Sequence, residues 1–310
     1  MAQNLSAFIS QHRPALEAAL ERHLPLSSQP RAEHFNEAVR YAIFPGGKRW
    51  RPTLTLLGAS IVGGEVGCAL PVACAMEYLH TSSIILDDLP AMDDADLRRG
   101  RPALHQVFGE SVALLAALAL LNQAYALLAQ AARERGTPGL AERLVADAAA
   151  CIGADGMIGG QVVDLALHGE PAETDVLASR NLKTTALMRL MMSAGAVAAG
   201  ATEREGAALA HFGECLGAAY QICDDLLDEL AAGEATGKPV RQDRRHRRAS
   251  FVAEFGVEES RRMAMTLVDE GQEALARVFG QRGEVHLFGE AAELIIGKVA
   301  EPGLVADLVA

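Results

Sequence analysis

Cysteine is scarce in this chain and badly placed for covalent stapling. The 310 residues hold five, Cys68, Cys74, Cys151, Cys215 and Cys223, and none forms a CxxC pair. An odd number cannot all pair within one chain, which argues against a disulfide scaffold and a zinc knuckle, and a reducing cytosol fits. Aromatics are only 5% of the residues, with a single Trp. Runs of β-branched residues are few, no segment alternates as a strand would, and no repeat or low-complexity linker occurs. Basic residues number 28 against 40 acidic, a formal charge of −12. That balance repels phosphate backbones and argues against a nucleic-acid binder. The longest apolar run, Val112 to Leu121, is ended by Asn122 and Gln123. Ten residues or so are too few for a membrane span, so no transmembrane segment is expected and a buried helix is the better reading. The opening stretch, Met1 to Leu20, is mixed polar and shows no targeting signal.

What the chain has in quantity is alanine and leucine. Half its residues are hydrophobic and mean hydropathy is +0.13, which gives material for a large core and excludes disorder. Leu16, Leu20 and Leu24 recur at helical spacing. Pro45-Gly46-Gly47 breaks the chain before a helix from about Pro52 to Val62, which Gly63-Gly64 stops. A further helix from about Val72 ends near Leu89 before Pro90. Other breaks fall at 136–139, 168–171, Gly200 and 233–239. The reading is a single all-α domain over residues 1–310, with several helices apolar enough to lie inside a bundle.

Two acidic motifs interrupt this apolar background. Asp87-Asp88-Leu89-Pro90-Ala91-Met92-Asp93-Asp94-Ala95-Asp96 places five carboxylates just after Ile84-Ile85-Leu86. Like charges this dense repel, and they are tolerable when solvated or when divalent cations neutralise them. Hard oxygen ligands at a helix end suit Mg²⁺. The second motif, Tyr220-Gln221-Ile222-Cys223-Asp224-Asp225-Leu226-Leu227-Asp228, sets Asp224 and Asp228 four apart on one helical face. Together they suggest two carboxylate banks facing one cavity and holding Mg²⁺ against a polyphosphate. Basic groups accompany them: Lys48, Arg49 and Arg51 beside Gly46-Gly47; Arg98, Arg99 and Arg101 after the first bank; Lys183 before Thr184-Thr185; and Lys238 after Thr236-Gly237. Such cations beside loosened backbone suit diphosphate oxygens. The Lys48 stretch lacks the spacing and hydroxyl of a Walker A loop.

Taken in order, GGKRWRP (46–52), HTSSIILDDLPAMDDADLRRGRPALH (80–105), DGMIGGQVVDL (155–165), KT (183–184), YQICDDLLD (220–228) and TGK (236–238) resemble the trans-isoprenyl diphosphate synthases of the polyprenyl synthetase family. The likeness is strongest to bacterial geranylgeranyl diphosphate synthases. It spans most of the chain. It implies the isoprenoid-synthase fold around a central cavity, a cytoplasmic homodimer, and head-to-tail condensation of isopentenyl diphosphate with an allylic diphosphate. Three Mg²⁺ ions with substrate bound are part of the same expectation. By position, Asp87 and Asp93 would be the main ligands of the first bank with Asp88 in support. Asp224 would lead the second, with Asp225 and Asp228 acting directly or through water. Lys48, Arg51, His80 and Arg99 match the isopentenyl diphosphate site. Arg98, Lys183, Gln221 and Lys238 match the allylic diphosphate site, and Thr184 and Gln161 match positions lining the reacting carbons.

Carbocation chemistry needs no enzymic nucleophile, so the lack of a GxSxG motif or a Ser-His-Asp arrangement agrees with this reading. Position 82 lies about 7–8 Å down the helix from Asp87. Farnesyl-producing bacterial relatives typically carry an aromatic there, whereas this chain has Ser82, which points to a C20 product. A farnesyl (C15) synthase, a non-catalytic partner subunit and a terpene cyclase are the competing readings. The chain departs from the pattern at Leu86, where a histidine is common. It departs again at Pro239, where an aspartate is usual, and in the basic stretch Arg241 to Arg248, which bears on whether that loop closes over the site.

Overall fold

A computed structural model describes residues 4–47, 49–166, 182–230, 250–280, 282 and 284–300. Apart from one short hairpin and the connecting turns and loops, the described chain is helical. Helices α1 (Leu5–Arg22), α2 (Glu33–Ile43) and α3 (Trp50–Ile61) lead through a single 3₁₀ turn (Val66–Ala69) into α4 (Leu70–Asp87). Two-residue strands β1 (Leu97–Arg98) and β2 (Arg101–Pro102) pair antiparallel. Then come α5 (Leu104–Phe108), α6 (Glu110–Arg135), α7 (Leu140–Ile152), α8 (Met157–Ala166), α9 (Leu182–Ala199), α10 (Glu203–Leu230), α11 (Phe251–Phe255), α12 (Val257–Phe279) and α13 (Val285–Ala300).

The expected breaks recur as helix ends. The helix placed at 52–62 runs from Trp50 to Ile61, with Pro52 in its first turn, where a missing N–H costs nothing. The helix expected to reach Leu89 stops at Asp87. The Asp88 N–H still bonds the Ile84 carbonyl at 2.9 Å, so the last turn is completed outside it. The breaks at 168–171 and 233–239 lie outside the described residues. The hairpin was not expected from sequence: its strands are too short to carry an alternating pattern, and its turn, Arg99-Gly100, has positive φ at both residues (54° and 72°), as a type I′ turn requires.

The chain divides into two compact units, with boundaries inside α1, α7 and α9 and just before α10. One comprises Ser6–Ala146 with Ala194–Ala201; it is called the N-terminal unit below. Its centre is α4, buried from Pro71 to Ser82 and lying against α3 and α6. Leu54, Leu56 and Leu57 of α3 and Leu120, Leu127 and Leu128 of α6 are fully buried, each contributing about 1.5–3 kcal/mol. The Tyr78 hydroxyl, buried among them, donates to the Leu20 carbonyl at 2.6 Å.

The other unit holds residues 147–193 and 202–310 with the first five residues. Its long helices α10 and α12 pack against each other, and α13 packs against both. Phe212 and Phe288 meet edge to face at 5.4 Å in its core.

Two segments, Val66–Asp87 and Glu110–Arg135, are long and apolar enough to cross a membrane by length and composition. The first is mostly buried as a core helix. The second exposes Leu114, Leu115 and Leu118 along one face.

Candidate active site

The first acidic motif begins where α4 ends. A helix C-terminus carries a partial negative charge, and carboxylates there are unfavourable without a cation. Yet α4 ends on Asp87 with Asp88 as its cap and has no basic residue in its last turn. The backbone then folds back on itself. Met92 N–H bonds the Leu89 carbonyl at 2.9 Å, and Asp94, at φ 47°, donates to the same oxygen at 3.1 Å. Asp93 N–H bonds the Asp87 carbonyl at 2.9 Å. Residues six apart in sequence therefore begin side by side, both reaching solvent. Asp88 turns inward instead: its buried carboxylate takes two contacts from Arg98 Nε, at 2.9 and 3.2 Å, and a further one from the same guanidinium's terminal nitrogen. Burial opposes the Arg98 charge, but Asp88 first, then Asp87 and Asp93, outweigh it and raise its pKa.

The basic loop preceding α3 is built around Arg49. Its side chain is 1% exposed and binds both oxygens of Glu17 (2.9 and 3.1 Å), Glu77 Oε1 (2.8 Å) and the Ile43 carbonyl (2.9 Å). Burial opposes its charge; Glu17 and Glu77 raise its pKa in spite of that. The guanidinium occupies the space that any side chain at Gly46 would need, since a Cβ there would lie 1.9 Å from Arg49 Cζ. Arg99 lies against Gly47, about 3.9 Å from where a Cβ would stand. Partial burial lowers its pKa, Glu77 works against that, and Arg51, Arg49 and Arg98 add to the fall. These cations share one neighbourhood in the N-terminal unit, and their mutual repulsion favours an anion there. The hairpin bearing Arg98 and Arg99 is tied down by its neighbours: Arg101 stacks on Tyr41 at 3.8 Å and donates to the Phe44 carbonyl at 3.1 Å, and Tyr41 donates to Pro102 at 3.0 Å. His80 and Ser82 are buried in α4, and His80 lies two turns before Asp87 on the same face.

In the C-terminal unit, Thr184 on α9 donates to Gln221 Oε1 on α10 at 3.2 Å, joining two residues chosen from sequence. Lys183 is half-buried beside Gly160 of α8, which has no room for a Cβ (2.5 Å from Lys183 N); Gln161 follows on the same helix. Asp224 is exposed and Asp228 half-exposed in the last turns of α10, again with no basic residue in the final turn. Asp225 points elsewhere: it is buried, and its Oδ2 accepts the Phe251 N–H at 2.9 Å, fixing the start of α11. Lys48, Lys238 and the stretch from Pro239 to Arg248 lie outside the described residues.

Sequence reasoning grouped Arg49 with the cations suited to diphosphate and did not mention Glu17 or Glu77, whereas the structure turns Arg49 inward onto both. The available signal was Glu77, an acid inside the buried run Met76-Glu77-Tyr78, which demands a buried cation. The donor chemistry of both helix ends fits Mg²⁺: carboxylate oxygens without sulfur or imidazole, at least two per end open to solvent.

Residues 32–279 match the polyprenyl synthetase family model. The chain is 36% identical to a geranylgeranyl diphosphate synthase of Cyanophora paradoxa, over 88% of this chain and 90% of that one. It is 38% identical to a farnesyl diphosphate synthase of Geobacillus stearothermophilus, over 82% and 85%. A solved FPP/GFPP synthase from Zymomonas mobilis superposes with a TM-score of 0.83 at 31% identity, covering 96% of this chain and all of the other. The helix-end carboxylates, the arginine-rich loop and these likenesses agree, and the chain belongs to the polyprenyl synthetase family, all-α in fold and a prenyltransferase by activity.

Proposed function

We propose that the chain is a Mg²⁺-dependent geranylgeranyl diphosphate synthase, joining isopentenyl diphosphate head to tail to an allylic diphosphate. The observation that supports this reading is that α4 and α10 both carry solvent-reaching carboxylates in their closing described turns, which hold no basic residue of their own. Carboxylates at the end of α4 conflict with the helix dipole, those on α10 crowd like charges on one face, and a cation-bound diphosphate would relieve both. Mg²⁺, when bound, would neutralise charge growing on the leaving diphosphate.

The protein's own groups supply the rest. Asp87, Asp93, Asp224 and Asp228 hold the cations. Asp88 holds Arg98 in place for the allylic diphosphate, with Lys183 and Lys238. Lys48, Arg51, Arg99 and His80 orient isopentenyl diphosphate. The allylic C–O bond breaks with its electron pair leaving on diphosphate. The isopentenyl double bond supplies the pair for the new C–C bond, and the proton lost afterwards passes to the departed diphosphate. Thr184, held by Gln221, and Gln161 flank the carbocation, and the apolar helices exclude water that would trap it. Label from isopentenyl diphosphate should enter allylic products only with Mg²⁺ present; no incorporation with any C5, C10 or C15 primer would defeat the proposal.

Ser82 supports the C20 assignment, because it is small and buried about 7–8 Å below Asp87 along α4. Ser82→Phe is expected to shift the main product to C15, read by chromatography of dephosphorylated products. An unchanged C20 product from a folded variant would remove Ser82 from length control.

A homodimer through α6 accounts for the exposed Leu114, Leu115 and Leu118, which sit at helical spacing on one face of a helix otherwise rich in alanine and leucine. Leu115→Glu with Leu118→Glu should convert a dimer to monomers in sedimentation; an unaltered dimer would place the interface elsewhere. Five free thiols fit a reducing cytoplasm.

A further inference from the structure

A second metal-ligand cluster stands on α10 well away from its carboxylate end. His211 and Cys215, four apart on that helix, face Glu270 of α12. The His211 Nε2 is 3.2 Å from Glu270 Oε1 and 3.8 Å from Cys215 Sγ, and one ligand atom from each of the three residues lies within 4.8 Å of the others. We propose that His211, Cys215 and Glu270 bind a borderline-soft divalent cation, Zn²⁺ in class, with water completing four-coordination.

The spacing carries the assignment. Tetrahedral zinc with bonds of about 2.0–2.1 Å to nitrogen and oxygen and 2.3 Å to sulfur sets N···O near 3.3 Å and N···S near 3.6 Å. The two measured edges differ from these by a few tenths of an ångström or less. The helices come close enough because residue 271 is glycine: a Cβ there would meet Cys215 Cβ and Phe212 Cδ2 at 3.1 Å. The other ring nitrogen, His211 Nδ1, faces Glu214 Oε2 at 3.8 Å, and Glu214 is itself steadied by Arg189 at 3.3 Å. A carboxylate behind a ligating histidine fixes its tautomer and strengthens it as a donor. Sulfur and imidazole disfavour Mg²⁺ and favour zinc-class ions. Burial, then Glu270 and Glu214, push the Cys215 thiol up to about 11; the same carboxylates attract a cation, and on binding the metal–sulfur bond forms as the thiol proton leaves to solvent. His211 precedes Asp224 by 13 positions, about 20 Å of helix, so this site is separate from the catalytic carboxylates. Its occupant would pin α10, which carries Asp224, to α12.

The test uses the full-length protein saturated with Mg²⁺ and titrated with Co²⁺. A thiolate-to-cobalt charge-transfer band should saturate at one equivalent and be displaced by Zn²⁺. Cys215→Ala should abolish it, and His211→Ala, at a half-exposed position, should weaken Co²⁺ binding at least about 10-fold, while Cys223→Ala should retain it. Absence of the band in the unaltered protein, or its persistence in Cys215→Ala, would overturn the proposal, with circular dichroism confirming that each variant is folded.

Discussion

Asp224→Ala is expected to lower kcat by at least about 10²–10³-fold while leaving thermal stability unchanged or slightly raised. The carboxylate is exposed near the end of α10, among Asp225, Asp228 and Glu229, in a helix with no basic residue in its last turn. Removing one negative charge relieves like-charge repulsion with Asp228, four residues on, of about 0.2–0.5 kcal/mol. A residue that costs stability in place, and whose loss destroys turnover, is there for chemistry. Asp87→Ala should likewise destroy turnover, because it too is a solvent-reaching carboxylate, at the end of a helix whose last turn holds no basic residue. Asp225→Ala, one residue on, should do the reverse: it orphans the buried Phe251 N–H and should cost about 1–3 kcal/mol. Turnover in Mg²⁺ and a thermal melt on the three variants check the contrast. Equal melting losses for Asp224→Ala and Asp225→Ala would contradict it.

Arg49→Ala should destabilise the protein by about 3–5 kcal/mol, among the largest single-site losses available in this chain. The substitution leaves Glu77, 4% exposed in the middle of α4, without the cation that compensates its burial, and frees Glu17 and the Ile43 carbonyl as well. An exposed pair such as Arg277–Glu273, at 2.7 Å, should cost under about 1 kcal/mol when broken. Combining Arg49→Ala with Glu77→Gln should recover part of the loss, since the stranded charge is then gone. Urea unfolding measures each step. Should Arg49→Ala unfold within 1 kcal/mol of the unaltered protein, the buried hub is not what orders the loop between α2 and α3.

The helical class was legible because alanine, leucine and glycine punctuation determine it locally, and both acidic motifs were legible because dense carboxylates beside apolar runs are conspicuous. What sequence could not assign was the division of labour inside each motif. Adjacent residues on a helix point about 100° apart, so Asp224 and Asp225 part company, one to solvent and one to Phe251 N–H. Asp88 and Arg98 were assigned to metal and diphosphate separately; their direct ion pair depends on the fold-back after Asp87, which is made by backbone bonds no side chain announces. Arg49 read like its neighbour Arg51, yet only Arg49 is swallowed by the core, because its partners Glu17 and Glu77 come from helices 32 and 28 positions away. The hairpin at 97–102 escaped notice for want of length.

The proposed function rests on the carboxylates of the two acidic motifs serving one allylic diphosphate. A double-mutant cycle on Mg²⁺-dependent binding of a non-ionisable allylic thiolodiphosphate, using Asp87→Asn, Asp224→Asn and both together, tests it most directly. If both banks grip one pyrophosphate, the double variant should bind little worse than either single one, a coupling of at least about 1 kcal/mol. Losses that simply add would mean that the two helix ends act on separate ligands, and the account would fail.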